Sequence, residues 1–294
     1  MAKGFQLGDL TIHRVVEEER PLFDPLEFFP NLTAEVLAEN RSWLEPAALD
    51  PATGLIKLCI QSYIVKTPHH TILVDSCVGN HKQRPNRPFW HEKTDDTWER
   101  NLAATGHSVE DIDFVMCTHL HVDHVGWNTR LENGRWVPTF PKAKYVFHKG
   151  EYAAWEEATA RGAQPPGNVW KYNCEPVVAA GQALLVDDNF SLDDTVWLSP
   201  TPGHSPCHCC VNIASGGQRA VVTGDLMHHA LQVREPGWST IFDWDATQAA
   251  ESRRGFLAEV AETPTIVLPI HFPGATAGRV SAGADGFRYN FLKP

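Results

Sequence analysis

The sequence predicts an α/β fold, or an α+β fold by some schemes, built on mixed β-sheets. Short apolar runs of strand length recur along the chain, and helical patterns lie between groups of these runs. The chain has 294 residues, of which 43% are hydrophobic and 21% charged, a composition typical of a globular protein with a substantial core. Because no repeat, low-complexity tract or domain boundary is visible, we expect one domain over 1–294.

The predicted elements follow in chain order. Two short strands over 5–16 turn at Gly8-Asp9, and a helix over 93–105 is stopped by Gly106. Further strands are predicted where apolar residues run without interruption, over 56–65, 71–74, 114–117, 144–148, 183–186, 195–198, 208–213, 220–223 and 265–269. Two more helices are predicted from their apolar spacing, over 149–161 and 247–262.

The N-terminal segment 17–54 differs from the rest of the chain. It contains five prolines and several large aromatic residues. Apart from a short helix over 33–40, capped by Asn31 or Thr33, we expect it to be irregular. A loop of this length with exposed aromatics is typical of a lid or of a contact surface, such as that of a homodimer. The alternative is that the aromatics only cover the sheet.

Charge and cysteine usage exclude several partners and compartments. The formal net charge is −11, from 36 acidic and 25 basic residues, so the field of the protein repels nucleic-acid phosphates. No secretory signal and no apolar run near the roughly 20 residues of a membrane helix is visible. The seven cysteines are odd in number and scattered, which does not indicate a disulfide framework. We therefore expect a cytoplasmic protein with a small-molecule substrate, and neither a nucleic-acid nor a membrane partner.

The stretch THLHVDHVGWN over 118–128 carries a candidate metal site. His119, His121, Asp123 and His124 come directly after the predicted strand over 114–117. Alternate residues of an extended chain point the same way, and the following residues lie where the chain must turn, so one short segment delivers three imidazoles and a carboxylate to one place. These donors suit zinc and related metals. The alternative, four polar residues on a solvated loop, gives no reason for this spacing behind a buried strand.

Four more residues of ligand type share this context. Each follows an apolar strand and precedes a turn: His204 in SPTPGHS, Asp225 in AVVTGDL, His271 in TIVLPIHFPG and Asp75 in TILVDSC. Strand ends hold side chains rigidly, which a metal site requires. We therefore take these residues as further candidate ligands.

Together these motifs resemble those of the metallo-β-lactamase-fold hydrolases. THLHVDH matches the H-x-H-x-D-H signature of that family, and LVDS, PGHS, TGD and IHFP match its other motifs in the family's order. The resemblance covers roughly residues 56–275. It implies a four-layer αββα sandwich with two mixed β-sheets and with metals at the sheet edges.

The resemblance also implies two divalent metal ions per chain, with Zn²⁺ favoured and Mn, Fe or Co as alternatives. By this resemblance Asp225 bridges the ions and Asp75 orients ligands through hydrogen bonds. The remaining ligands divide into two sets of three, with His119, His121 and His204 on the first ion and Asp123, His124 and His271 on the second.

The implied chemistry is hydrolysis by a metal-bridging hydroxide. It requires no side-chain nucleophile, and the sequence has no G-x-S-x-G nucleophile elbow. Asp225 and Asp123 are the candidate catalytic residues, Asp225 as the bridge and Asp123 as a ligand that can also pass a proton to the leaving group.

Departures from the pattern of other branches of the family reduce the number of reactions to consider. His121 stands where the diiron flavoprotein relatives have Glu, and the true β-lactamases lack the carboxylate found here at Asp225. The 23 residues after His271 are too few for the C-terminal domain of glyoxalase II relatives. DHVGWNT and HFPGATAGRV resemble the quorum-quenching lactonases and the methyl-parathion-hydrolase-like enzymes. We therefore expect a hydrolase of a small lactone or a related carboxylic ester. The alternatives are a phosphotriesterase, a hydrolytic dehalogenase, and a non-catalytic metal-binding sensor.

The candidate pocket residues are aromatic and polar side chains near the ligands, and the alternative for each is core packing. They are Trp127, Asn128, Phe89, Trp90, Met227, His228, His229, Trp238 and Phe272. The run CHCC at 207–210 is too crowded to wrap one tetrahedral zinc ion, because neighbouring strand residues face opposite ways. We interpret it as buried thiols.

Overall fold

The computed structural model describes residues 4–162, 168–284 and 286–292. The strands are β1 (Phe5–Leu7), β2 (Leu10–Phe23), β3 (Ile56–Lys66), β4 (Thr71–Val74), β5 (Phe114–Met116), β6 (Thr129–Glu132), β7 (Arg135–Pro138), β8 (Lys144–His148), β9 (Ala183–Val186), β10 (Val196–Pro200), β11 (Cys209–Ser215), β12 (Gln218–Val222), β13 (Ile266–Leu268), β14 (Gly278–Gly283) and β15 (Gly286–Phe291). The helices are α1 (Pro25–Phe28), α2 (Ala34–Leu44), α3 (Thr97–Ala104), α4 (Lys149–Ala160), α5 (Glu175–Ala179), α6 (Leu231–Arg234) and α7 (Ala246–Val260).

Two mixed sheets carry the fold, as the sequence predicts. The first has seven strands in the order β1-β2-β3-β4-β5-β8-β9, and the second has six in the order β10-β11-β12-β13-β14-β15. In the first sheet the pairs β4-β5, β5-β8 and β8-β9 are parallel. In the second sheet the pair β12-β13 is parallel, and the adjacent pairs β11-β12 and β13-β14 are antiparallel.

The sheets pack face to face, and helices cover their outer faces. On β3, Tyr63 and Val65 belong to the cluster between the sheets, which also holds Leu198 and Val222 of the second sheet. The intervening Ile64 packs outward with residues of α3 and α4, as the two-residue period of a strand requires. Residues of α7 cover the outer face of the second sheet in the same way. This confirms the four-layer αββα arrangement.

The prediction that most of 17–54 is irregular is wrong. Strand β2 continues to Phe23 and pairs with β3 along its length. The sequence signal against a strand here is Pro21, but β1 pairs only with the first residues of β2, so Pro21 lies where no second neighbour needs its missing N–H. The predicted helix exists as α2, with the Thr33 hydroxyl accepting from the Val36 N–H at 3.3 Å.

Two hairpins were not expected from the sequence, β6-β7 and β14-β15. The first turns at Asn133-Gly134, both with positive φ (50° and 76°), the sequence signal of a two-residue hairpin. The helix predicted over 93–105 begins only at Thr97. Among the described residues no helix is both long and apolar enough to cross a membrane.

The parallel strands decide where the site lies. Strands β4 and β5 run side by side in the first sheet, as do β12 and β13 in the second. Chain segments that leave the carboxyl ends of parallel neighbours emerge at one edge, where ligands commonly bind. The loops after these four strands and after β10 carry all the predicted ligand residues.

Candidate active site

The predicted ligand residues meet at this edge of the two sheets. Two of the groups whose ligand atoms lie within 4.8 Å of one another are His119, His121, His204 and Asp225, and Asp123, His124 and His271. His228 belongs to two further groups of this kind, one with His204 and Asp243 and one with Asp225 and His271. The predicted ligand residues in these groups come from four separate loops.

Asp225 lies between the two groups and gives one carboxylate oxygen to each. Its Oδ1 lies 2.9 Å from Nε2 of His124 and 2.9 Å from Nε2 of His271. Its Oδ2 lies 3.1 Å from Nε2 of His204 and 3.7 Å from Nε2 of His119. A carboxylate in this position can contact two cations at once.

The outer ring nitrogens of the histidines are held by hydrogen bonds. The Nδ1 atoms of His124 and His204 lie 2.8 Å from carboxylate oxygens of Asp75 and Asp243. The Nδ1 of His271 lies 2.9 Å from the carbonyl oxygen of Cys59. Because Nδ1 keeps its proton and donates it in a hydrogen bond to these acceptors, each neutral ring presents its Nε2 lone pair to the interior of the site, as a metal ligand must. In each of these rings the hydrogen bond therefore sets both tautomer and orientation.

Asp75 ties two of the ligand loops together. It accepts hydrogen bonds from the Thr118 N–H at 2.8 Å and the Thr118 hydroxyl at 2.9 Å, in addition to His124. Its φ is +56°, a conformation that Asp tolerates better than most residues. The Thr118 hydroxyl oxygen lies 3.1 Å from Nδ1 of His119. Asp75 thus orients His124 directly and His119 through Thr118.

The charges in the cluster favour positive charge at its centre. Burial raises the pKa of Asp225, but the surrounding histidines, His124 first, outweigh burial and hold that pKa well below its ordinary value. Burial lowers the pKa of His124, but Asp225, Asp75 and Asp123 outweigh it and raise that pKa well above its ordinary value. Protons on the rings would therefore supply the positive charge that a metal ion supplies when bound.

An unpaired buried atom points to the same conclusion. The Nε2 of His119 is buried and takes part in no hydrogen bond. Leaving such groups without partners costs about 1–3 kcal/mol each, and native proteins avoid it. Imidazole and carboxylate are the donors that zinc and related divalent metals prefer. The residues present therefore fit divalent metal ions.

A cavity of about 390 Å³ opens above the cluster. Its floor includes His121, Asp123, His204, Asp225 and His271. Its walls are mostly apolar side chains from distant parts of the chain, including Leu22, Phe23, Phe28, Leu58, Ile60, Trp90, Leu120, Trp155, Val169 and Phe242. This volume suits a small molecule, and the walls suit an apolar group.

Of the predicted pocket residues, Trp90 and His228 line this cavity. His228 lies with Nε2 3.1 Å from Oδ2 of Asp225, and its ring stacks on His271 at 5.3 Å. Phe89 does not line the cavity and packs edge-on against Trp90.

The predictions for Trp127 and Asn128 are wrong. Trp127 stacks on Trp98 in the core at 5.0 Å and donates to Glu17 at 2.9 Å. The buried Asn128 accepts from the Ser76 hydroxyl at 2.8 Å. Both follow the ligands in a short helical turn, and that turn directs them into the protein.

Four further pocket predictions are wrong because the side chains are used in packing. Met227 and Phe272 belong to the core cluster beneath α7. His229 is buried, with Nε2 3.1 Å from the carbonyl oxygen of Ala48. Trp238 packs against the cluster formed by the N-terminal helices.

The structure adds residues that sequence reasoning missed. Asp243 holds His204, and Glu151 accepts hydrogen bonds from two ligand loops. Phe23, Trp155 and Phe242 line the cavity. None of these lies beside a ligand in the sequence, so the strand-end signal could not find them.

The CHCC run forms no metal site. Cys209 belongs to the cluster between the sheets and Cys210 to the cluster on the outer face, so neighbouring side chains point apart as expected. Within the described part of the chain these residues form no group of converging ligand atoms. The buried His208 instead accepts the Asp225 N–H at Nε2, 3.0 Å away.

The chain resembles known proteins in sequence and in fold. The chain is 27% identical to N-acyl homoserine lactonase AiiB of Agrobacterium fabrum (strain C58) over 124 residues, which cover 39% of this chain and 41% of that lactonase. The match thus spans less than half of the relative's length.

Two solved structures share the fold over nearly the whole chain. One is AidC, a dizinc quorum-quenching lactonase in complex with the product N-hexanoyl-L-homoserine, with a TM-score of 0.81 and 22% identity over 99% of this chain and 97% of that one. The other is the hydrolase AbOPH of the beta lactamase superfamily, with a TM-score of 0.82 and 20% identity over the same shares. The model of the metallo-beta-lactamase superfamily matches residues 59–263, most of the chain. The chain therefore belongs to the metallo-beta-lactamase superfamily.

Proposed function

We propose that the protein is a binuclear metal-dependent hydrolase that opens a small-molecule lactone or cleaves a related carboxylic ester. The observation that carries the proposal is the position of Asp225, whose two carboxylate oxygens face separate groups of histidines at the floor of an apolar cavity. Membership of the superfamily and the lactonase relative support it.

In this proposal the first ion would be held by His119, His121 and His204. The second would be held by Asp123, His124 and His271. Asp225 would be shared between them. When bound, two divalent ions supply a hydroxide nucleophile at neutral pH and polarise the substrate oxygen.

The protein's own residues orient the reaction. The walls of the cavity, including Phe23, Trp155 and Phe242, hold the apolar part of the substrate and exclude water from the reacting group. Asp123 lines the same cavity, and its Oδ2 lies 3.7 Å from Nε2 of His271 and 4.0 Å from Nε2 of His124. After the nucleophile has added to the carbonyl, this carboxylate can take the proton of the nucleophile and pass it to the leaving oxygen.

The chemistry of the walls favours an uncharged substrate with an apolar chain. The dizinc lactonase AidC binds N-hexanoyl-L-homoserine, which makes N-acyl homoserine lactones the first substrates to test here. Aryl esters share the electrophilic carbonyl. Phosphotriesters and aryl halides test the alternative activities of the same site.

A substrate panel compared by kcat/KM tests the proposal. We expect lactones or carboxylic esters to exceed phosphotriesters and aryl halides by more than tenfold. His121→Ala should abolish this activity, whereas Asp187→Asn, a change in an exposed carboxylate outside the site, should preserve it. A preference for phosphotriesters or aryl halides would favour the alternative hydrolases, and metal binding without any turnover would favour the sensor.

A further inference from the structure

The buried carboxylate of Glu151 joins the two loops that carry His121 and His204. Glu151 lies in the first turn of α4 and is 1% exposed. Its Oε1 accepts from the Leu120 N–H at 3.3 Å and from the Trp155 indole N–H at 2.8 Å. Its Oε2 accepts from the Ser205 hydroxyl and the Cys207 N–H, each at 2.9 Å. One carboxylate thus receives four hydrogen bonds.

These donors lie next to ligands of the first metal site. Leu120 stands between His119 and His121, and Ser205 follows His204 directly. Across the gap between the loops, Nδ1 of His121 and Nε2 of His204 are 2.8 Å apart. Two nitrogen atoms at this separation can bind one ion, so the distance between the loops decides whether the first site forms.

The start of α4 is held tightly against the second of these loops. A Cβ atom at position 150 would lie 2.5 Å from Sγ of Cys207, so Gly150 lets the helix approach the loop this closely without displacing that side chain. The helix N-terminus also stabilises a carboxylate in its first turn. The carboxylate is therefore fixed at the place where the loops meet.

All the groups that Glu151 binds are uncharged donors. A carboxylate can accept from every one of them because it has acceptor sites on both oxygens. A glutamine would turn an NH₂ group towards two of the donors, so an isosteric change breaks the arrangement without changing its size.

We propose that Glu151 is a positioning residue that holds His121 and His204 at the separation needed for the first metal ion. The inference rests on the metal site of the proposed function. It also predicts that a change at Glu151 weakens the first metal site and not the second, because other contacts hold the second site. His124 is oriented by Asp75, and His271 by the carbonyl of Cys59.

The experiment measures Co²⁺ affinity in chains that retain one site. In a His271→Ala background the remaining ion occupies the first site, and in a His121→Ala background it occupies the second. We expect Glu151→Gln to lower Co²⁺ affinity in the first background about 10–100-fold, as for other residues that orient metal ligands, and to leave it within about twofold in the second. The Co²⁺ absorption spectrum should change only in the first background.

Matched variants separate positioning from a general loss of structure. Glu156→Gln changes an exposed glutamate of the same helix and should leave both affinities unchanged. Ser205→Ala removes one of the four hydrogen bonds and should lower the first-site affinity less than Glu151→Gln does. Thermal unfolding of the metal-free chains shows whether each variant is folded.

The outcomes for the inference and for the proposed function are distinct. Unchanged Co²⁺ affinity of Glu151→Gln in the His271→Ala background overturns the inference and leaves the hydrolase proposal standing. An equal loss in both backgrounds also overturns it, because Glu151 would then support the whole fold. Normal Co²⁺ binding by a wild-type chain that cleaves no lactone or ester overturns the proposed function and leaves the inference standing.

Discussion

Asp243 and His204 form a buried hydrogen bond, with Oδ1 of Asp243 2.8 Å from Nδ1 of His204 across 39 residues of sequence. Burial raises the pKa of Asp243, but the hydrogen bond with His204 and nearby positive charge outweigh it and lower that pKa to about 2. Asp243 is therefore ionised at neutral pH. It holds the proton on Nδ1 and leaves Nε2 free to bind a metal ion.

Removal of this charge should weaken the first metal site. Asp243→Asn keeps the size of the side chain but can turn an NH₂ group towards Nδ1, which favours the wrong tautomer of His204. We expect metal affinity to fall about 10–100-fold, measured by competition with a chelator. The exposed Asp187→Asn is the matched control. Equal affinities for the two variants would show that Asp243 does not orient His204.

Metal binding should release protons. Burial lowers the pKa of His204, but Asp225 and Asp243 outweigh it and raise that pKa to about 9 in the metal-free protein. Below pH 9 His204 carries a proton that must leave before Nε2 can bind a metal ion, so affinity should rise with pH towards 9. Calorimetry in buffers of different ionisation enthalpy measures the protons released. A pH-independent affinity with no proton release would contradict the ligand role of His204.

Phe242 should contribute to recognition of the apolar part of the substrate. Its ring lines the cavity and packs edge-on against Phe23 and Phe28, at 5.6 Å from each. We expect Phe242→Ala to lower kcat/KM about tenfold for a long acyl chain, equivalent to about 1.4 kcal/mol, and less for a short chain. Phe291→Ala changes an exposed ring and should alter neither value. A loss that does not depend on chain length would place the apolar group elsewhere.

Trp127 should matter for stability and not for substrate choice. It is buried, stacks on Trp98 and donates to Glu17. Trp127→Ala should lower the free energy of unfolding by about 3–5 kcal/mol, measured by urea denaturation. The ratio of kcat/KM between long and short acyl chains should stay constant for the folded fraction. A changed ratio of kcat/KM with an unchanged free energy of unfolding would show that Trp127 contacts the substrate.

Local sequence predicts the cluster of candidate ligands but not the cavity. His204 and Asp225 stand directly behind apolar strands, so the strand pattern alone brings their loops to one edge of the sheets. Trp127 stands close to ligands as well, but the turn that follows them decides which way its side chain points. Asp243 meets His204 only through tertiary contact, and no local pattern encodes that contact.

The fold, too, is predicted by local sequence in some parts and depends on tertiary contacts in others. Alternation and apolar runs identify most strands, whereas β2 continues through Pro21 because a neighbouring strand is absent there. That absence is a property of the assembled sheet. The N-terminal segment therefore appears irregular in the sequence, although Phe28 lies in a helix and lines the cavity.

The most direct test of the account is a titration of chelator-stripped protein with Zn²⁺ while hydrolysis of an N-acyl homoserine lactone is followed. The account predicts no activity without metal, full activity when two ions per chain are bound, and about one ion bound with little activity in Asp225→Asn. Full activity in a verified metal-free preparation, or saturation of wild-type activity at one ion per chain, would contradict it.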